Sequence, residues 1–133
     1  MEEMMATTPE GEVKDMIKQR LALLGAHPAG SKMWETGKAT SWYYMPVQNG
    51  MGVSGIPDFI GCHYGMFWSI EAKAPGKQPN PNQAQRMHEI RATAGQSWTV
   101  DCEDDMEEIV QWMYQVRRDP MLVIDAQTAV LRG

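Results

Sequence analysis

GIPDFIGCHYGMFWSIEAKAP, residues 55–75, is the stretch on which the reading of the fold turns. Two short apolar runs flank His63-Tyr64-Gly65, a turn-forming triplet. The spacing predicts two strands, 57–62 and 66–74, joined as an antiparallel hairpin. Side chains alternate along a strand, so Met66, Trp68, Ile70 and Ala72 point one way and Phe67, Ser69, Glu71 and Lys73 the other. The first set is core. The second presents an acid and an amine about 7 Å apart along the strand. Asp58 stands near the start of the neighbouring strand, where a hairpin brings it beside Glu71. Two carboxylates that close raise each other's proton affinity unless a cation lies between them. A hard divalent cation such as Mg²⁺ suits an oxygen-only set of this kind. A lysine at its side suits a phosphate oxygen or a water to be oriented, which together are the parts for phosphodiester hydrolysis. The plain alternative is a surface hairpin carrying a Glu–Lys ion pair, with Asp58 as a turn residue.

Outward from the hairpin, residues 9–24 read as a helix. Thr7 or Thr8 can cap it, Pro9 suits its first position, and Val13, Met16, Ile17, Leu21 and Leu24 form one apolar stripe that Gly25 ends. Residues 26–40 have no period and read as a long loop. Residues 42–48 are aromatic and extended, with Pro46 pointing to an edge strand or a bulge. After the hairpin come a Gly/Pro/Asn loop over 75–82 and a helix from Pro81 to about Ala94, with Ala84, Met87, Ile90 and Ala94 inward. A strand at 97–102 and a helix at about 105–117 follow, the latter with Met106, Ile109, Val110, Met113 and Val116 as its core face. The tail after it is apolar enough to need burial. Helix, three strands, helix, strand, helix is the order of a mixed α/β layer fold.

Composition sets outer bounds. A chain of 133 residues, 43% hydrophobic and 22% charged, reads as one domain with a real core. No run of about 18 apolar residues is present and the acidic N-terminus lacks a basic-then-apolar leader, so the expectation is an intracellular, cytoplasmic protein that does not engage a membrane. Cys62 and Cys102 form neither a disulfide framework nor a zinc motif and read as reduced core thiols. The net charge of −5 argues against nucleic acid only until its distribution is seen. Residues 101–108 hold six acids and no base, whereas Lys14 to Arg91 hold nine Lys/Arg against five Asp/Glu. A cation on Asp58 and Glu71 would make the middle of the chain effectively basic.

Gly55-Ile56-Pro57-Asp58, then Glu71-Ala72-Lys73, then the loop PGKQPNPN leading to Gln83, preceded by a helix bearing Glu12, together resemble the PD-(D/E)xK nuclease superfamily. More narrowly they resemble its VRR-NUC domains, the virus-type replication-repair nucleases. The likeness covers about residues 9–102, with 103–133 outside any matched motif. It implies a restriction-endonuclease-like core, a mixed sheet flanked by helices. It implies Asp58 and Glu71 as metal ligands, Lys73 as the catalytic lysine, and Glu12 completing the acidic cluster directly or through water. It also implies Gln83 as a site residue at the start of the following helix. Other readings stand beside these. Glu12 is equally a first-turn acid favoured by the helix dipole, with Glu10 as the neighbouring candidate. With Asn80 as N-cap, Gln83 also completes a capping box.

The expected function is a Mg²⁺- or Mn²⁺-dependent structure-specific DNA endonuclease of bacterial or phage origin. The resemblance points to a homodimer cutting four-way (Holliday) junctions. The alternatives are a flap- or end-specific repair nuclease and a catalytically silent DNA-binding module. Lys77 and Arg86 flank the site and are the better phosphate contacts, with Lys32 and Lys38 further candidates. Trp34 is a candidate wedge between bases, whereas Trp42 to Tyr44 read as core or subunit contact. His63 reads as a polar turn residue.

Overall fold

The computed structural model describes residues 7–118. Helix α1 (Pro9–Leu23) opens the fold, capped by Thr8, whose Oγ1 accepts the Gly11 N–H at 3.0 Å. A two-residue strand, β1 (His27–Pro28), and a single 3-10 turn (Met33–Thr36) follow, within the segment expected to be all loop. Then come β2 (Ser41–Tyr44), β3 (Phe59–His63), β4 (Met66–Ala72), α2 (Pro81–Ala92), β5 (Gln96–Val100) and α3 (Glu103–Arg118). The sheet order is β1-β2-β3-β4-β5. The inner pairs β2/β3 and β3/β4 are antiparallel, and the outer pairs β1/β2 and β4/β5 are parallel. The fold is therefore α/β with a five-stranded mixed sheet flanked by three helices. Among the described residues no helix is long and apolar enough to cross a membrane.

The hairpin forms as its pattern requires. Tyr64 and Gly65 both take positive φ, 51° and 80°, the two-residue turn whose twist matches its flanking strands. His63 is thus not a turn residue but the last residue of β3. It shares the core face with Phe59 and Gly61 and is fully buried. Its Nδ1 meets the Ser41 hydroxyl and its Nε2 the Met113 carbonyl, 2.9 Å away. Gly61 is required by close approach: a Cβ there would run into the Trp68 ring.

The two faces of the sheet are covered differently. On one, Phe59, Trp68, Ile70, Ala72 and Val100 meet Val13, Ile17 and Leu21 of α1 and Met106, Ile109, Val110 and Met113 of α3. Arg20 ties the two helices by reaching Glu103 at 2.9 Å and Glu107 at 2.6 Å. On the other face, α2 covers the β4–β5 half: Met87 is buried, its sulfur contacted by Thr99 Oγ1, and Ser69 and Ser97 share a 2.8 Å hydrogen bond beneath it. That cover buries Ser69 and Glu71 as well as the apolar set, so β4 is closed on both faces from Trp68 onward. Of the α2 residues expected inward, Met87 is buried, Ile90 half-buried and Ala84 exposed. The β2–β3 half of this face carries no helix, and Trp42 and Tyr44 are exposed there, their rings near-parallel with centroids 6.4 Å apart. Of the aromatic segment, Tyr43 joins the core and Met45 packs against it.

Boundaries differ from the sequence reading where a polar contact intervenes. β2 ends at Tyr44, before Pro46. β5 ends at Val100, because the Asp101 N–H turns to the Asp105 carboxylate at 3.1 Å. α3 starts earlier, at Glu103, with three acids in its first turn, where the helix dipole favours them. Cys102 lies in that bend and is exposed, and Cys62 is half-buried on the open half of the sheet, so neither is a core thiol. The tail beyond 118 that was expected to need burial lies outside the described residues.

Candidate functional site

The register Phe59↔Ile70 places Asp58 opposite Glu71, one residue before β3 proper. Asp58 is fixed by its backbone neighbour across the hairpin: its Oδ2 accepts the Ala72 N–H at 2.8 Å. Gly55 sets the loop before it. Gly55 has φ +84° and lies so close to the first turn of α2 that a Cβ would strike the Asn82 carbonyl. The Gly-Ile-Pro-Asp run is thereby pressed against the start of α2, the element that carries Gln83.

Gln83 does two jobs at once. Its Oε1 accepts the Asn80 N–H and its own N–H donates to Asn80 Oδ1, both at 2.9 Å, which completes a capping box. Its Nε2 then donates to Glu71 Oε2 at 2.9 Å. The two sequence readings of Gln83 are therefore compatible: the cap fixes the amide, and the fixed amide orients the acid.

Glu71 is 3% exposed. Besides the Gln83 amide, its Oε2 faces the Lys73 ammonium at 3.9 Å, while its Oε1 is buried without a hydrogen-bond partner. Burial pushes the carboxyl up to about 8, the negative Asp58 beside it adds to the rise, and Lys73 opposes it. When protonated, Glu71 can share its proton with Asp58. Lys73 continues the ladder through its N–H to the Val100 carbonyl at 2.9 Å, so its side chain leaves from a fixed backbone.

The first helix contributes a different acid from the one expected. Glu10 and Lys14, one turn apart, face the site: Lys14 Nζ lies 3.4 Å from Glu10 Oε2 and 3.5 Å from Asp58 Oδ1. Glu12, about 200° round the helix from Glu10 at 100° per residue, is exposed and lines a depression with Pro75, Cys102 and Glu103. The acid near Asp58 is Glu10. Lys14 was not singled out from the sequence, although its i,i+4 spacing from Glu10 was a legible signal.

The expected phosphate contacts divide. Lys77 is exposed on the β4–α2 loop, whose turn is pinned by the Gly76 N–H to Asp101 Oδ2 at 2.8 Å. Arg86 is already engaged, with Glu89 at 2.9 Å and the Ser54 carbonyl at 3.4 Å, and so braces the loop before Asp58. Lys32 and Lys38 lie on the β1–β2 side of the sheet, away from Glu71. Lys32 shares a depression there with His27, the exposed Trp34 and Trp42.

The donor set fits a hard divalent cation. Asp58 and Glu71 offer oxygen only, Glu71 Oε1 takes no hydrogen bond from a protein donor, and burial first, then the negative Asp58 beside it, raises the proton affinity of Glu71. Asp101, Cys102 and Asp105 also come within 4.8 Å of one another. There Asp101 Oδ2 serves Gly76 and Asp105 Oδ2 serves the Asp101 N–H, so that cluster is explained as the junction between β5 and α3. No protein-family model matches the chain, and no curated protein matches it.

Proposed function

We propose that this chain is a divalent-metal-dependent nuclease that hydrolyses phosphodiester bonds in branched DNA. The observation that supports it most is a buried Glu71 with one unpartnered oxygen, placed opposite Asp58 and beside Lys73. A structural Glu–Lys pair would have no reason to bury the acid against a second acid. Asp58 and Glu71 would hold Mg²⁺ or Mn²⁺, which when bound supplies Lewis-acid polarisation of the phosphoryl group. Gln83 fixes the Glu71 rotamer, and the Ala72 N–H fixes Asp58, so neither acid must reorganise when a phosphate arrives. Lys73 presents an ammonium of low exposure that can donate to a non-bridging phosphate oxygen and stabilise the charge that builds there. The resemblance to VRR-NUC domains supports a homodimer and a four-way junction as substrate. The exposed Trp42 and Tyr44 offer apolar area that a two-fold partner would cover.

The same pair supports a second reading, a nuclease acting on flaps or single-stranded ends. Near-parallel exposed aromatic rings on the face that carries Asp58 and Glu71 offer stacking surfaces for unpaired bases. A panel of labelled junction, flap, duplex and single-stranded DNAs, incubated with Mg²⁺ or Mn²⁺, separates the two. Paired symmetric nicks in a mobile junction support the first, and cutting confined to flaps or ends supports the second. No cleavage of any of them by a protein that still binds DNA would leave a silent binding module.

A further inference from the structure

We infer that Lys14 is a built-in counter-ion that competes with the divalent cation for Asp58. The inference rests on the proposed metal site and adds to it a positioning residue that sets how tightly the cation is held. Both oxygens of Asp58 are engaged: Oδ2 accepts the Ala72 N–H at 2.8 Å, and Oδ1 faces Lys14 Nζ at 3.5 Å. A cation coordinated by Asp58 must therefore share Oδ1 with a like charge or displace it. Displacement has a ready destination, because Glu10 Oε2 already holds the same ammonium at 3.4 Å. Lys14 is half-buried, so its charge at Asp58 is screened less than a surface lysine's would be. The amine thus neutralises Asp58 in the metal-free protein and weakens the site for the metal that replaces it.

The test is a Mn²⁺ titration of the metal-free protein, read by calorimetry or by the electron paramagnetic resonance of free Mn²⁺, without DNA. Wild type, Lys14→Met, Lys14→Arg and Asp58→Asn are compared. Lys14→Met is expected to bind Mn²⁺ about three- to tenfold more tightly than wild type, the scale of losing a partly exposed ion pair plus a nearby like charge. Lys14→Arg keeps the charge and should stay within about twofold of wild type on the same reasoning. Asp58→Asn should lose the site. If Lys14→Met does not fold, Lys14→Gln carries the same comparison. Unchanged or weaker Mn²⁺ binding in the neutral variant, with wild type binding through Asp58, overturns the inference while the metal site stands. Failure of every protein, wild type included, to take up Mn²⁺ overturns both.

Discussion

Changing Glu71 to glutamine should remove a pH dependence of folding that the metal-free protein otherwise carries. The carboxyl is buried and lies opposite Asp58, and its pKa is raised from 4.5 to about 8. The folded state therefore keeps a proton that the unfolded chain gives up. The contribution of Glu71 to stability is greatest below about pH 4.5, declines as pH rises, and levels off above about pH 8. At 1.36 kcal/mol per pKa unit, ionisation of Glu71 costs on the order of 3 kcal/mol of stability at pH 7 and about 5 above pH 8. Asp101 and Glu107 are lowered, so what they contribute is lost only in acid, and Lys14, Tyr43 and Cys102 are raised from values of 9.0 or more. Glutamine preserves the geometry: its oxygen accepts the Gln83 amide and its NH₂ can donate to Asp58. Urea unfolding in chelator at several pH values is the assay. Wild type should lose stability steadily from pH 5 to 8, and Glu71→Gln should be nearly flat and more stable at pH 8. Parallel pH profiles for the two proteins would refute the reasoning. Saturating Mn²⁺ should flatten the wild-type profile, because the cation replaces the proton.

Lys73→Ala should lower the cleavage rate by on the order of 10²-fold, the scale of losing one preorganised electrostatic group, with Mn²⁺ affinity in a binding titration changed little. Lys73→Arg should recover little of that rate, since a planar guanidinium does not fit where a compact ammonium sits; near-normal turnover would show that charge alone suffices. Gly55→Ala should destabilise the fold by about 1–3 kcal/mol in urea unfolding, because it adds positive-φ strain to a clash with the α2 backbone. It should also reduce cleavage further by moving Gln83 relative to Glu71. Light scattering at micromolar concentration should give twice the 15.0 kDa chain mass, and a monomer would remove the dimeric junction reading.

Local signals carried most of the fold. The α1 stripe, the Asn80–Gln83 cap, the core face of α3 and the β3–β4 hairpin are each written in a few adjacent residues. The antiparallel pairing was legible, but the register that sets Asp58 opposite Glu71 depends on the turn being Tyr64-Gly65 alone, with His63 in the strand. What escaped was decided by contacts distant in sequence. His63 was assigned to the turn by its polarity, although the alternation Phe59, Gly61, His63 placed it on the core face. Its partners, Ser41 and the Met113 carbonyl, come from β2 and α3. β1 is two residues long and exists because β2 offers it an edge, which no local pattern announces. Glu10 and Glu12 both occupy the first turn of α1, and only the roll of that helix against the sheet, fixed by Val13 and Ile17, selects Glu10. The burial of Glu71 likewise depends on α2 folding back over β4.

The most direct test of the proposed activity is a Mn²⁺-dependence curve for cleavage of a labelled four-way junction, run with wild type and Asp58→Asn under identical conditions. Asp58→Asn keeps the side-chain oxygen that accepts the Ala72 N–H but removes the charge that would hold the cation. The expected result is saturable, chelator-sensitive cleavage by wild type and none by the variant, with both proteins equally folded. Equal cleavage by the two, or cleavage by wild type that chelator does not abolish, would contradict a metal nuclease centred on Asp58 and Glu71.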